Sequence, residues 1–383
     1  MVGLEPPQEE QVARKAVLIL EDGSIFSGNA FGSSTKATGE VVFSTGMVGY
    51  TEALTDPSYR RQILTLTYPL VGNYGVPAAP ASTLPECFES DGIKVGGLIV
   101  HSLCRRPSHW ASQRTLDDWL TEEGIPGMCG VDTRRLTKRL REKGVMLGLL
   151  QTCEPGEEPD LDRLSTEVKS IQDPNELDLI QEVTVPEPIT HSCQKAGERA
   201  VILDCGVKYG IVRSLLARGW EAVRVPAHFS ADEILELTPS AVVISNGPGD
   251  PARATHVIEC TKQLVDEGLP VIGICLGNQI LSLALGGSRY KLKYGHRSQN
   301  QPALDVRSGR CYITSQNHGF SVDRDSLRGT GLEVSFVNAN DQTVEGVRHT
   351  ERPCVGVQFH PEASPGPNDT QFLLDELLSL RRS

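Results

Sequence analysis

The chain has 383 residues, more than one ordinary domain needs, and its 39% hydrophobic and 22% charged residues suit two folded domains rather than a disordered chain. Its 37 Lys and Arg against 49 Asp and Glu leave a formal net charge of −12 at pH 7. Such a field repels phosphate backbones and anionic bilayers, so neither a nucleic-acid partner nor a membrane is expected.

In chain order, residues 1–15 read as an N-terminal extension. It carries Glu5, Glu9 and Glu10 and lacks the apolar core of a secretory signal. No stretch nears the about 18 apolar residues of a membrane span, and a cytoplasmic location is expected. Residues 16–20 and 24–26 flank Glu21-Asp22-Gly23 and read as a hairpin. Further strands are expected at 41–43 and 62–67, and a helix at 133–143 stopped by Gly144. Residues 16–150 therefore read as a β-rich α/β domain. The text then turns polar and Pro-rich, as in Pro155, Pro159, Pro174, Pro186 and Pro188, so 151–198 is taken as a linker region.

From 199 to 383 the rhythm is strand then helix. Strands are expected at 200–203, 222–225, 241–245 and 271–274. Helices are expected before Gly219, at 231–237, 256–267 and 276–285, and near 373–380. This alternation predicts an α/β domain with a central, mostly parallel sheet flanked by helices. Ligands in that architecture gather at the carboxyl ends of the strands. The chain's 10 cysteines form no C-x-x-C pair and no cluster with histidine, so no disulfide framework and no metal site is expected.

Three strand-ending segments carry chemistry. Gly273-Ile274-Cys275-Leu276-Gly277 has the form of a nucleophile elbow with cysteine at its apex, a helix N-terminus behind it and the Leu276 amide placed for an oxyanion. It is equally the text of a close-packed strand-to-helix turn around a buried cysteine. Gln358-Phe359-His360-Pro361-Glu362 places a histidine and a carboxylate two apart in extended backbone, on one side, as a base and its orienting group require. Ser245-Asn246-Gly247-Pro248-Gly249-Asp250-Pro251 closes a strand with little side-chain bulk, so its backbone amides can approach a ligand or simply make a turn.

Together these segments resemble the triad (class I) glutamine amidotransferases, and Thr314-Ser315-Gln316-Asn317-His318-Gly319-Phe320 narrows the likeness. The whole chain resembles the glutaminase subunit of carbamoyl phosphate synthetase, or the equivalent N-terminal segment of a multifunctional pyrimidine-synthesis protein. Leu20-Glu21-Asp22-Gly23, Gly39-Glu40-Val41-Val42-Phe43, Leu54-Thr55-Asp56-Pro57-Ser58-Tyr59 and Gly130-Val131-Asp132-Thr133-Arg134 carry the likeness through the first half.

The resemblance implies hydrolysis of L-glutamine and delivery of ammonia to a synthetase partner that makes carbamoyl phosphate, for pyrimidine or arginine synthesis. By motif it implies Cys275 as nucleophile, His360 as base and Glu362 as its orienting carboxylate. It implies oxyanion amides at Gly247 and Leu276, and glutamine contacts at Ser58, Gly247, Gly249, Leu276, Gln279, Asn317, Gly319 and Phe320. No cofactor is expected in this chain, which has no phosphate-binding G-x-x-x-x-G-K-[ST] loop; ATP and Mg are expected on the partner. Many relatives read Gly-His-Gln where this chain reads Gly277-Asn278-Gln279, so Asn278 is expected to modulate turnover. His318 reads as a hydrogen-bonding residue near the substrate loop. The basic stretch Arg134, Arg135, Lys138, Arg139 and Arg141 reads as a solvated helix face. The alternative to an active glutaminase is a degenerate amidotransferase kept as a structural or regulatory subunit.

Overall fold

The computed structural model describes residues 14–78, 84–193 and 197–380. All but the last two residues of the expected N-terminal extension lie outside that range. Seven strands of the first part close into a barrel, in the order Lys15–Leu20, Ile25–Gly32, Pro126–Cys129, Gly97–Ile99, Gln62–Leu66, Lys36–Ser44 and Met146–Thr152, the last returning to the first. The expected hairpin is its first corner, with Ile19 opposite Ile25. The wall mixes both senses, for Lys36–Ser44 runs parallel to Gln62–Leu66 but antiparallel to Met146–Thr152.

The helix Thr133–Lys143 has the bounds expected of it. Asp132 caps it by accepting the Arg135 amide, and Gly144, at φ 105°, ends it by donating to the Leu140 carbonyl. Leu136 and Leu140 lie one turn apart and are both fully buried, each contributing roughly 1.5–3 kcal/mol. The basic residues fall on the other side. Arg139 pairs with Asp22 at 2.6 Å, and Arg135 lies over the Phe26 ring.

The second sheet has ten strands, with Ile189–His191 at one edge antiparallel to Glu221–Pro226. Its parallel part is Glu221–Pro226, Arg199–Asp204, Ala241–Ile244, Val271–Ile274 and Cys354–Val357. These short runs are buried along almost their whole length, as expected where helices cover both faces of a parallel sheet. Beyond Cys354–Val357 the sheet turns antiparallel through Val344–His349, Leu332–Asn338, Arg289–Asp305 and Cys311–Val322. That annex carries the Gln-Asn-His-Gly-Phe text, and it folds back so that Ser315 bridges His360.

The polar, Pro-rich stretch between the halves is a strap with its own structure. Its helix Leu161–Glu167 puts Leu164, and then Val168, against Val17, Ile19 and Leu149 of the barrel. Further on, Ile180 joins the core of the second domain. Glu182 holds Arg60 and Arg61 of the barrel, each at 2.7 Å. Isolated apolar anchors in polar text make such a strap look like a linker in sequence. No helix among the described residues is long and apolar enough to cross a membrane.

Candidate active site

Cys275 sits between the strand Val271–Ile274 and the helix Leu276–Ala284. Its backbone is at φ 55°, ψ −102°, a region that costs a non-glycine residue roughly 1–3 kcal/mol and persists only where the surroundings impose it. Here they do. A Cβ on Gly273 would meet the Gly277 carbonyl oxygen at 2.4 Å, and one on Gly277 would meet that of Ile244 at 2.0 Å, so no side chain fits at either position. The Cys275 amide donates to the Val357 carbonyl at 2.8 Å, tying the elbow to the next strand. Its thiol lies 3.7 Å from the Asn317 carbonyl and 3.7 Å from Gln358 Nε2, which donates to the sulfur.

His360 and Glu362 follow the strand Cys354–Val357 and are both buried. Nδ1 of His360 lies 2.7 Å from Glu362 Oε1, while its Nε2 has no hydrogen-bond partner. Burial opposes charge on His360, yet Glu362 beside it outweighs that and raises the imidazole above its ordinary value. Glu362 is buried too, but Lys208 and His360 hold it below the usual carboxylate range. Lys208 is one residue beside the pair that the sequence does not single out. Its ammonium is buried and donates to Glu362 Oε1 at 3.1 Å and to the Ala363 carbonyl at 3.0 Å. The available signal was a lone lysine at the carboxyl end of the strand Arg199–Asp204, on the ligand edge of the sheet. Asp204 shapes that loop by accepting the amides of Gly206 and Val207, and is itself paired with buried Arg224 at 2.8 Å.

Ser58, Gly247, Gly249, Leu276, Gln279, Asn317, Gly319 and Phe320 all line one cavity together with Cys275. His360 and Glu362 lie outside that lining. Gly247 has no room for a side chain, because a Cβ would stand 2.1 Å from the Cys205 carbonyl oxygen. Ser58 comes from the barrel domain, and its hydroxyl accepts from Asn246 Nδ2 at 3.1 Å. Gln279 donates to the Phe320 carbonyl at 2.8 Å and to Gln358 Oε1 at 3.0 Å. Asn278 is wholly buried and points its amide at the same Gln358 oxygen, at 3.4 Å, one residue removed from the thiol. His318 makes short contacts to the Phe320 carbonyl and to Gln316 Oε1. Burial holds its ring well below the ordinary histidine value. Buried Glu40 also lines the cavity and binds Lys291 at 2.8 Å, Gln62 at 3.0 Å and Asn175 at 3.2 Å.

A cysteine on a strained elbow, a buried histidine held by a carboxylate, and a cavity floored by glycines equip the site for acyl transfer through a covalent intermediate. Comparison with known proteins gives the class. The model for glutamine amidotransferase class-I matches residues 201–380, which contain the elbow and the histidine–carboxylate pair, and the chain is an enzyme of that class. The model for the carbamoyl-phosphate synthase small chain, CPSase domain, matches residues 18–150. The carbamoyl phosphate synthase small chain of Methanopyrus kandleri is 49% identical over 96% of this chain and 99% of its own length. That of Methanocaldococcus jannaschii is 49% identical with the same coverage. The chain belongs to the carbamoyl phosphate synthase small chain family. Among solved structures, a glutamine amidotransferase from Thermotoga maritima is 19% identical, covering 43% of this chain and 76% of its own, with a TM-score of 0.35.

Proposed function

We propose that this chain hydrolyses L-glutamine to glutamate and ammonia through a cysteine thioester and passes the ammonia to a synthetase subunit that forms carbamoyl phosphate. The observation that carries the reading is the pairing of His360 Nδ1 with Glu362 at 2.7 Å while Nε2 stays free, beside a cysteine on a strained elbow. His360 Nε2 takes the thiol proton as Sγ attacks the side-chain carboxamide carbon. The amides of Gly247 and Leu276 receive the oxyanion. His360 then gives its proton to the departing nitrogen, which leaves as ammonia, and a water molecule, deprotonated by the same ring, hydrolyses the thioester. Glu362 fixes the tautomer and supports the imidazolium. Lys208 keeps Glu362 ionised.

Ser58, Gly249, Gln279, Asn317, Gly319 and Phe320 hold the amino acid, Ser58 being contributed by the barrel domain. The nitrogen leaves as a neutral molecule that bulk water would protonate, which is the physical reason for a closed route to a partner. ATP and Mg belong to that partner in this reading, and the carbamoyl phosphate would serve pyrimidine or arginine synthesis. The test is glutamate release by the purified chain with and without a synthetase subunit, beside Cys275→Ser. Release that needs Cys275 and rises with the partner supports the reading, and Cys275-independent release overturns it.

A further inference from the structure

The antiparallel annex brings together three buried side chains that the glutaminase mechanism does not use. His296 and His318 stand directly opposite each other on the paired strands Arg289–Asp305 and Cys311–Val322. Glu345 comes from the strand Val344–His349. One ligand atom from each lies within 4.8 Å of the others, and the rings meet edge to face at 5.0 Å. Along the chain these residues show no ligand spacing, since three different strands supply them.

The hydrogen bonds leave lone pairs facing one another. His318 Nδ1 lies 2.8 Å from the Phe320 carbonyl, which can only accept, so that nitrogen carries the ring proton. Its Nε2 then turns a lone pair toward Gln316 Oε1 at 3.0 Å. The amide of Gln316 is fixed in this orientation, because its nitrogen donates to Glu345 at 2.8 Å and to Thr314 at 3.1 Å. His296 repeats the conflict. Its Nε2 donates to Asp341 at 2.9 Å, and its Nδ1, buried and without a hydrogen-bond partner, faces Glu345 Oε1 at 3.5 Å. Glu345 is fully buried, and its other donors are the neutral amides of Gln316 and Asn338. A second proton on either ring would relieve one conflict, but protonating both would set two buried cationic rings 5.0 Å apart. One cation among the four acceptors relieves both.

We propose that His296 Nδ1, His318 Nε2 and Glu345, with Gln316 Oε1 as a fourth donor, form a binding site for a divalent cation of the zinc class. Zinc bound to nitrogen and oxygen at about 2.0–2.2 Å sets neighbouring ligands about 3.4 Å apart, close to the separation between His296 and Glu345. Two histidines and a carboxylate suit that ion better than Mg or Ca. The site would brace the strand whose Asn317, Gly319 and Phe320 line the cavity.

The test is uptake of Zn2+, and separately Co2+, by chelator-treated chain carrying Cys275→Ser, which removes the thiol beside the Asn317 carbonyl. We expect one equivalent of Zn2+ by calorimetry and elemental analysis. Co2+ should give ligand-field bands without sulfur charge-transfer bands. His296→Gln and Glu345→Gln, each shown folded by circular dichroism, should each weaken binding at least 10-fold. Failure of the parent chain to bind either ion, or equal binding in both variants, or sulfur ligation of the cobalt, would overturn the proposal. So would nitrogen NMR showing an imidazolium at His296 that excess Zn2+ does not displace.

Discussion

Asn317 Nδ2 donates to Asp56 Oδ2 at 2.8 Å, joining the catalytic sheet to the barrel domain at the wall of the cavity. The other oxygen of the same carboxylate accepts the Ser58 amide at 2.9 Å. One buried aspartate therefore fixes a cavity residue from each domain, and the site is complete only when the two domains are docked.

Replacing that aspartate should separate glutamine use from the rest of the reaction. Asp56→Ala leaves two donors unsatisfied, at about 1–3 kcal/mol each. We expect kcat/KM for glutamine to fall roughly 10–100-fold, with ammonia-dependent carbamoyl phosphate synthesis by the complex unchanged. Equal loss with ammonia as donor would show that the contact serves assembly instead.

Lys208→Met should act on the histidine through the carboxylate. Without the ammonium, burial is opposed only by His360 and a backbone hydrogen bond, and the Glu362 carboxyl moves up toward the ordinary range. Glutaminase activity should drop at least about 10-fold, and the acid limb of its pH profile should shift to higher pH. A lower rate with an unmoved profile would make Lys208 a packing residue only.

The same ion pair makes a stability prediction. Glu362 is lowered from 4.5 to about 2 in the folded chain, so it contributes stability that is present above about pH 4.5 and is lost as the pH falls toward 2. The difference in unfolding midpoint between the wild type and Glu362→Gln should be flat between about pH 5 and 6, shrink below that range as Glu362 protonates, and shrink again at alkaline pH as the raised His360 loses its proton. A difference that grew as the pH fell below that range would reverse the assigned sign.

Asn278 and Gln279 both reach Gln358, which in turn reaches the thiol, but by bonds of unequal quality, 3.4 Å against 3.0 Å. Asn278→Ala should therefore lower kcat by less than about 10-fold and Gln358→Ala by more. The reverse order would mean that Asn278 acts by a route other than Gln358.

The sequence is most legible where structure is local. Short, fully apolar strands such as Val271–Ile274 and the capped helix Thr133–Lys143 announce themselves by pattern. The barrel does not, because its closure rests on pairs such as Ala16 with Thr152, whose register no local signal carries. The strap reads as a linker because Leu164 and Ile180 are single anchors among polar residues. At the site, the glycine-flanked cysteine and the His-x-Glu pair stand out as text. Lys208, Gln358 and Asp56 are ordinary residues in the text, and only the fold sets them beside Glu362, the thiol and Asn317.

In the proposed mechanism Cys275 and His360 work as one nucleophilic unit. The most direct measurement is mass spectrometry of the chain quenched during glutamine turnover, with wild type beside Cys275→Ser and His360→Asn. A γ-glutamyl adduct on Cys275 in the wild type, absent from Cys275→Ser and strongly diminished in His360→Asn, is the predicted result. Steady glutamate release by Cys275→Ser, with no adduct in any form, would contradict it.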